Sequence, residues 1–328
     1  MVPTDNDAQA IRFSQELNGV PGLRVRLSEP VARYTSMKIG GLADYFLDVD
    51  SREALPRALR ILARHEIPVC VLGNGSNVLV SDLGVRGAVI RLGKDFKRIE
   101  WHEDESGARI DVGAAFPVTQ LAREVARRGY TGLEFAEGIP GSVGGALVMN
   151  AGAYGAEMEK VVDQVEAVTR QGEPLVLKKA EIIFSYRHSS LPRGSIVTQA
   201  LIRLVRGDQE AVRQRLNELV SRRKKSQPSG YPNSGSMFRN PPGDFAGRLI
   251  EAAGLKGTKI GAAEISARHA NFIVNLGGAK AADVRQLMEA VQAGVEKKFG
   301  VRLEPEVRLL GEWSACSELV EPTRKRGE

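Results

Sequence analysis

VLGNGSNVLVSD, residues 71–82, is the stretch on which the fold turns. An apolar run, Ile67–Leu72, leads into Gly73-Asn74-Gly75-Ser76-Asn77, the strand-then-G-x-G opening of a dinucleotide fingerprint. That fingerprint needs a third glycine and a helix directly after the turn, so that pyrophosphate meets the helix N-terminus. Position 78 is Val, and the continuation VLVSD is strand-like. A Rossmann fold is therefore excluded. What remains is a tight turn with successive N–H groups and two polar side chains, Ser76 and Asn77, which suits a pyrophosphate. Standing alone, it suits a plain hairpin turn better.

A second glycine-rich stretch, GIPGSVGGALVMNAGAYG, covers residues 138–155. Glycine loses the most conformational freedom on folding, so a dense run needs a physical reason. Gly138-Ile139-Pro140-Gly141-Ser142 reads as a rigid turn, and Gly144-Gly145 has no side chain to block a ligand. The competing reading is a small-residue helix packed closely on a sheet. Two separate glycine loops, each with a small polar residue, favour a dinucleotide cradle.

The chain has 328 residues, with 46 basic against 40 acidic side chains, enough length for about two domains. This mild excess of positive charge suits an anionic small molecule. The basic residues are too dispersed to mark a nucleic-acid surface, apart from Arg222–Lys225 and the tail Arg324–Arg326. Cys70 and Cys316 lie far apart, and Cys70 sits in an apolar run, so a core thiol is expected there rather than a disulfide or metal site. The four histidines, His65, His102, His188 and His269, lack metal-ligand spacing, and no metal is expected. The start MVPTDNDAQA is unlike a signal peptide, and no apolar run approaches a membrane span. A cytoplasmic enzyme is the default expectation.

Apolar periodicity predicts one short helix in the first twenty residues, then helices over 52–64 and around Val118–Val125. Strands are expected at Ile67–Leu72, Ala88–Leu92 and in three runs between 162 and 205. Beyond Gly207 come a helix bearing Val212, Leu216 and Leu219, a loop QPSGYPNSGS, a helix at 244–253, a strand at Phe272–Asn275 and a helix at 281–298. Strands and helices mix without strict alternation, which predicts the α+β class. The domain boundary is expected near 207.

Three further motifs carry polar groups suited to a substrate. In SYRHS (185–189), Arg187 can fork onto a carboxylate and Tyr186 can donate to a phosphate. In NSGSMFRN (233–240), Ser236 follows a glycine and precedes apolar residues, so its hydroxyl can project into a site; no G-x-S-x-G elbow accompanies it. In LEPEVR (303–308), Glu306 falls in a strand-like run where an inward carboxylate needs a partner. Taken singly, the three read more simply as a solvated loop, a cap or turn residue, and an exposed strand face.

Together, and in order, these segments resemble the UDP-N-acetylenolpyruvoylglucosamine reductases, flavoenzymes of peptidoglycan precursor synthesis. The resemblance runs through Arg33 and YTSMKIGGLADYF (34–46), VLGNGSNVLVSD (71–82), GLEFAEGIPGSVGGALVMNAGAYG (132–155), SYRHS (185–189), NSGSMFRNP (233–241), AGRLIEAAGLKG (246–257) and LEPEVRLLG (303–311). It omits about thirty N-terminal residues and the tail after Gly311.

The resemblance implies a vanillyl-alcohol-oxidase-type (PCMH-type) FAD-binding domain of two α+β subdomains over residues 1–207, split near 95. It implies an α+β substrate-binding domain over 208–328, with a strand near 303–311 returning to the active site. By resemblance, Gly73, Asn74, Gly75, Ser76, Asn77, Gly138, Ile139, Pro140, Gly141, Ser142, Gly144 and Gly145 contact a non-covalent FAD. It further implies that hydride passes from NADPH by way of FAD to the vinyl C3 of UDP-N-acetylglucosamine enolpyruvate. Ser236 would protonate C2, while Arg187 and Glu306 polarise the carboxylate. Tyr186, Lys225 and Asn240 would hold the UDP part. The segment between SYRHS and NSGSMF has no tyrosine before Tyr231, which resembles the shorter of the family's two subtypes. A monomer acting on small molecules, with no nucleic-acid partner, is expected.

Overall fold

The computed structural model describes residues 13–313, in which helices and strands mix as an α+β fold. The expectations for the N-terminal decapeptide, Cys316 and the basic tail lie outside those residues; residues 13–18 are helical. The chain divides into two compact units. The first comprises Met1–Glu29, Asp44–Asn74 and Gly87–Val220; the second comprises Pro30–Ala43, Gly75–Arg86 and Ser221–Glu328.

Among the described residues, the two larger sheets of the first unit have four and six strands. One has the strand order Leu23–Pro30, Leu42–Val49, Val85–Leu92, Val69–Val71. The helix Ala54–Arg64 buries Leu55, Ala58, Leu59 and Leu62, the stripe that the sequence spacing predicts. The other sheet runs Pro174–Lys178, Val162–Val168, Ile196–Arg206, Gly107–Gly113, Ile99–Asp104, antiparallel throughout. Along its longest strand Ala200, Ile202 and Leu204 are buried while Arg203 and Val205 face solvent, the two-residue period of a half-buried strand. Helix Val118–Arg127 supplies Val118, Leu121, Ala122 and Val125 to the same core.

The run Ile67–Leu72 departs from expectation. Only Val69–Val71 is strand, paired parallel with Ala88–Ile90 at the end of its sheet. An edge strand has one unpaired flank, and Val71 is accordingly exposed while Cys70 is half-buried. Burial still pushes the Cys70 thiol up to about 11, so it stays protonated and unreactive at neutral pH.

The second unit carries an antiparallel sheet in the order Asn233–Ser236, Phe272–Asn275, Ala263–Ile265, Lys259–Ile260. Helix Ala281–Phe299 covers its core with Val284, Leu287, Met288, Val291 and Val295, and ends at Gly300 in the left-handed region, φ 67°. Two segments from early in the chain share that core through Met37, Ile39 and Leu79. Strand Val78–Val80 pairs parallel with Arg308–Leu310. Asp82 accepts from the N–H groups of Ala281 and Ala282, both at 2.9 Å, satisfying two donors at the start of the long helix. The VLVSD continuation that excludes a Rossmann helix is thus a strand with its own partner.

Candidate active site

The turn Gly138–Ser142 in the first unit is held from below by helix Val118–Arg127. Glu137, 1% exposed, takes a forked pair of hydrogen bonds from Arg123, with contacts of 2.6–3.1 Å. The Thr119 hydroxyl donates to the Ile139 carbonyl at 2.8 Å, and the Val118 N–H donates to Gly141 at 3.1 Å. Sequence reasoning missed Glu137. The signal was a carboxylate immediately before a rigid glycine turn, with an arginine 14 residues upstream on an amphipathic helix.

Part of the glycine run is the small-residue helix of the competing reading. Val143–Val148 is a helix with Ser142 as its N-cap, accepting from the Gly145 N–H at 3.3 Å. The N–H groups of Val143 and Gly144 are spent on Phe116 and Ala114. A Cβ on Gly144 would come within 3.0 Å of Ala114 Cβ, which is the close packing of a small-residue helix. Gly144 is thus buried against Ala114, while Gly145, its N–H on Ser142 Oγ, leaves bare backbone exposed. Gly73 reaches the same place from the other loop: a Cβ there would lie 2.7 Å from Ser142 Oγ. Gly73, Gly138 and Gly145 are exposed around buried Ser142, a surface stripped of side chains that fits an extended dinucleotide.

The same helix positions the SYRHS motif. Ser189 Oγ donates to the Val148 carbonyl at 3.0 Å, and Asn150 Nδ2 donates to the Ser185 carbonyl at 3.2 Å. Asn150 is fully buried, with its Oδ1 taken by the Glu159 N–H at 3.0 Å. Phe184–Ser185 and His188–Ser189 form a hairpin whose two-residue turn is Tyr186-Arg187. Arg187 has φ 56°, a left-handed conformation rare for a long side chain that comes with its place in this tight turn. Its guanidinium lies 4.9 Å from the exposed Tyr186 ring.

Ser236, Glu306 and Asn77 converge in the second unit. Asn233 pairs with Val274 but Ser236 with Phe272, so three steps on one strand face two on the other. This is a β-bulge, with Gly235 at φ 77° and its N–H on Asn233 Oδ1; such bulges re-aim the residue that follows. The next carbonyl, Met237, accepts from the Glu306 N–H at 2.8 Å. Asn77 Nδ2 donates to the Glu306 carbonyl at 3.2 Å, and the Asn77 carbonyl accepts from Arg308 N–H at 3.1 Å. Gly75 faces the Tyr34 carbonyl, at φ 63°, too closely for any side chain.

Glu306 is not in a strand, contrary to expectation. Pro305 makes only an isolated bridge with Phe238, and the regular strand starts at Arg308. Partial desolvation of its guanidinium, and then the Arg239 charge, hold Arg308 below its usual pKa although the residue as a whole is exposed. Two cations thus sit close together in the stretch that carries Ser236 and Glu306.

Of the other expected contacts, Asn240 Oδ1 accepts from the Ala246 N–H at 3.0 Å, capping helix Ala246–Ala252. Lys225 is exposed near the end of helix Gln209–Ser226, and its carbonyl accepts from Arg268 at 3.1 Å. A cavity of about 480 Å³ in the first unit, lined by Phe135, Tyr154, Lys160, Arg203 and Leu219 among others, contains none of the expected site residues. Among the described residues, no group of three or more His, Cys, Asp or Glu is placed to hold a metal. No helix among them is long and apolar enough to cross a membrane.

Two family models match the chain. An FAD binding domain covers residues 43–178, and the UDP-N-acetylenolpyruvoylglucosamine reductase C-terminal domain covers 227–310. The UDP-N-acetylenolpyruvoylglucosamine reductase 2 of Symbiobacterium thermophilum is 48% identical over 292 residues, 89% of this chain and 93% of the relative. That of Caldanaerobacter subterraneus subsp. tengcongensis is 44% identical, over 88% of this chain and 94% of the relative. The crystal structure of the UDP-N-acetylenolpyruvylglucosamine reductase from Thermus caldophilus superposes with a TM-score of 0.75 at 40% identity, covering 88% of this chain and 98% of that one.

Proposed function

This chain belongs to the UDP-N-acetylenolpyruvoylglucosamine reductase family, and from that premise we propose that it reduces UDP-N-acetylglucosamine enolpyruvate to UDP-N-acetylmuramate with NADPH. FAD is its cofactor, and bound flavin supplies the redox chemistry that carries hydride from NADPH to the vinyl C3. The residues that fit FAD are the bare glycine surface of Gly73, Gly138 and Gly145 around Ser142. Both co-substrates are cytoplasmic metabolites, so the proposal carries a cytoplasmic location with it.

The remaining work falls to side chains. Hydride addition at C3 leaves negative charge on C2 and on the carboxylate beside it, and C2 then needs a proton. Ser236 donates that proton; a serine hydroxyl is a weak acid, but a carbanionic carbon accepts from it when the hydroxyl is already in place. Arg187 forks onto the substrate carboxylate, where charge develops and a fixed cation is worth most. Glu306 works with Arg187 to polarise the substrate carboxylate and stabilise the enolate. Tyr186, Lys225 and Asn240 hold the UDP part, and the cations Arg239 and Arg308 add to the positive field. The observation that carries this reading is that the Ser236–Met237 strand end holds the Glu306 backbone directly.

The test is a coupled assay on the purified yellow protein. NADPH should be oxidised only when the enolpyruvyl substrate is present, one for one with a product two mass units heavier. NADPH oxidation that instead tracks dissolved oxygen and yields no lactyl ether would contradict the proposal.

A further inference from the structure

The strand ladder beside Ser236 ends at that residue, yet the next two residues are held on both edges. Ser236 is the last residue paired with Phe272–Asn275; Met237 lies at a bend, and Met237 and Phe238 carry Glu306 and Pro305 on their other edge. The missing ladder is supplied by one side chain. Asn271, 3% exposed, accepts the Phe238 N–H on Oδ1 at 3.0 Å and donates from Nδ2 to the Phe238 carbonyl at 2.8 Å. Its own carbonyl accepts the Met237 N–H at 2.8 Å. The carboxamide thus imitates a peptide group of a neighbouring strand.

The far edge of the same segment holds the carboxyl-bearing residue. Met237 accepts from the Glu306 N–H, and the Arg239 N–H donates to the Glu304 carbonyl at 2.9 Å. Asn271 is itself fixed, its N–H donating to His269 Nδ1 at 3.2 Å. One buried amide therefore lies behind both Ser236 and Glu306 without reaching either.

We propose that Asn271 is the positioning residue of this site, setting the spacing between the Ser236 hydroxyl and the Glu306 carboxyl through the Phe238 peptide. The inference rests on the reading of Ser236 and Glu306 given above. Asparagine is required because the role needs one donor and one acceptor in a plane. Aspartate would turn a lone pair toward the Phe238 carbonyl, and alanine would leave both Phe238 groups buried and unpaired.

The experiment compares holoenzymes of Asn271→Asp and Asn271→Gln, the second keeping both groups but one methylene further out. Flavin reduction by NADPH should stay within about twofold of wild type, while reoxidation by the enolpyruvyl substrate should slow by roughly 10- to 100-fold, the scale of a displacement near 1 Å at a reacting group. The solvent deuterium isotope effect on reoxidation should rise as proton delivery becomes limiting. Without any turnover, amide hydrogen exchange at Phe238 and Glu306 should accelerate together. Val291→Ala, a core truncation in the long helix, supplies a stability control: at a similar loss of Tm it should slow neither half-reaction. The inference is overturned if both Asn271 variants reoxidise at the wild-type rate, if the control slows reoxidation equally, or if both lose the fold outright, which would make Asn271 merely structural. Ser236→Ala keeps the two ideas apart. If that variant is fully active the underlying reading fails, and if it alone is inactive the Asn271 inference fails.

Discussion

Asn77 and Glu306, 229 residues apart, are joined by a side-chain hydrogen bond of 3.2 Å from the Asn77 amide to the Glu306 carbonyl. The Asn77 carbonyl takes the Arg308 N–H in return. The residue that closes the first glycine turn therefore also steadies the chain that carries the Glu306 carboxyl. Asn77→Ala should cost about 1 kcal/mol in denaturant unfolding, the net worth of one such bond. It should also slow reoxidation by substrate more than it weakens FAD binding, which a flavin titration beside a stopped-flow trace will show.

Arg123 and Glu137 hold the base of the second glycine turn. The Glu137 carboxylate is almost wholly buried while Arg123 is 64% exposed. Removing the arginine leaves a buried charge unpaired, a loss of several kcal/mol for a fully buried pair, discounted here for solvent around the guanidinium to about 1–3 kcal/mol. Arg123→Ala should therefore lower Tm and release FAD more readily. Glu137→Gln in the same background should recover much of the loss, since no charge is then stranded. Flavin fluorescence on dilution reads both.

At Arg187 stability and activity should part company. Its φ of 56° costs a non-glycine residue up to about 1–2 kcal/mol. Arg187→Gly should raise thermal stability by a fraction of that, glycine losing more freedom on folding, while nearly abolishing turnover. Arg187→Lys should keep the strain and the charge but lose the fork, raising the substrate KM. Paired melting and kinetic measurements on the two variants separate the backbone's contribution from the side chain's.

His269 gives the second unit a pH dependence of defined sign. Burial, and then the Lys256 charge, lower its pKa from the ordinary 6.5. Below 6.5 the unfolded chain takes up a proton that the folded chain refuses, so stability rises with pH across the window between the two values. The contribution is complete above about 6.5 and is lost as pH falls toward the folded value. Protonation would also occupy the Nδ1 that accepts from Asn271. The Tm advantage of wild type over His269→Gln should shrink between pH 7 and pH 5; a constant difference would contradict this.

Much of the fold was legible because burial leaves a period in the sequence. Phe272–Asn275 and the long strand Ile196–Arg206 appear where apolar runs predict them, and helix Ala281–Phe299 starts where its pattern does. The helix Val143–Val148 was harder to see, since glycine and alanine contribute too little apolar surface to mark a face. The strand expected at Glu306 is reduced to an isolated bridge between Phe238 and Pro305, and the ladder resumes only at Arg308. The parallel pairing of Val78–Val80 with Arg308–Leu310 joins segments far apart in the chain, and no local pattern announces such a partner. Asn271 was invisible for a related reason. Its role is to imitate backbone, and backbone hydrogen bonds leave no mark on composition. The chemistry-bearing residues were legible only as motifs in order, because polar side chains on turns have no period.

The central claim is that Ser236 delivers the proton that completes the reduction. Ser236→Ala holoenzyme should be reduced by NADPH at the wild-type rate in a stopped-flow experiment, and should then fail to be reoxidised by UDP-N-acetylglucosamine enolpyruvate, with a loss on the order of 10²–10⁴-fold for a missing general acid. Reoxidation at the wild-type rate, giving the normal lactyl product, would contradict it.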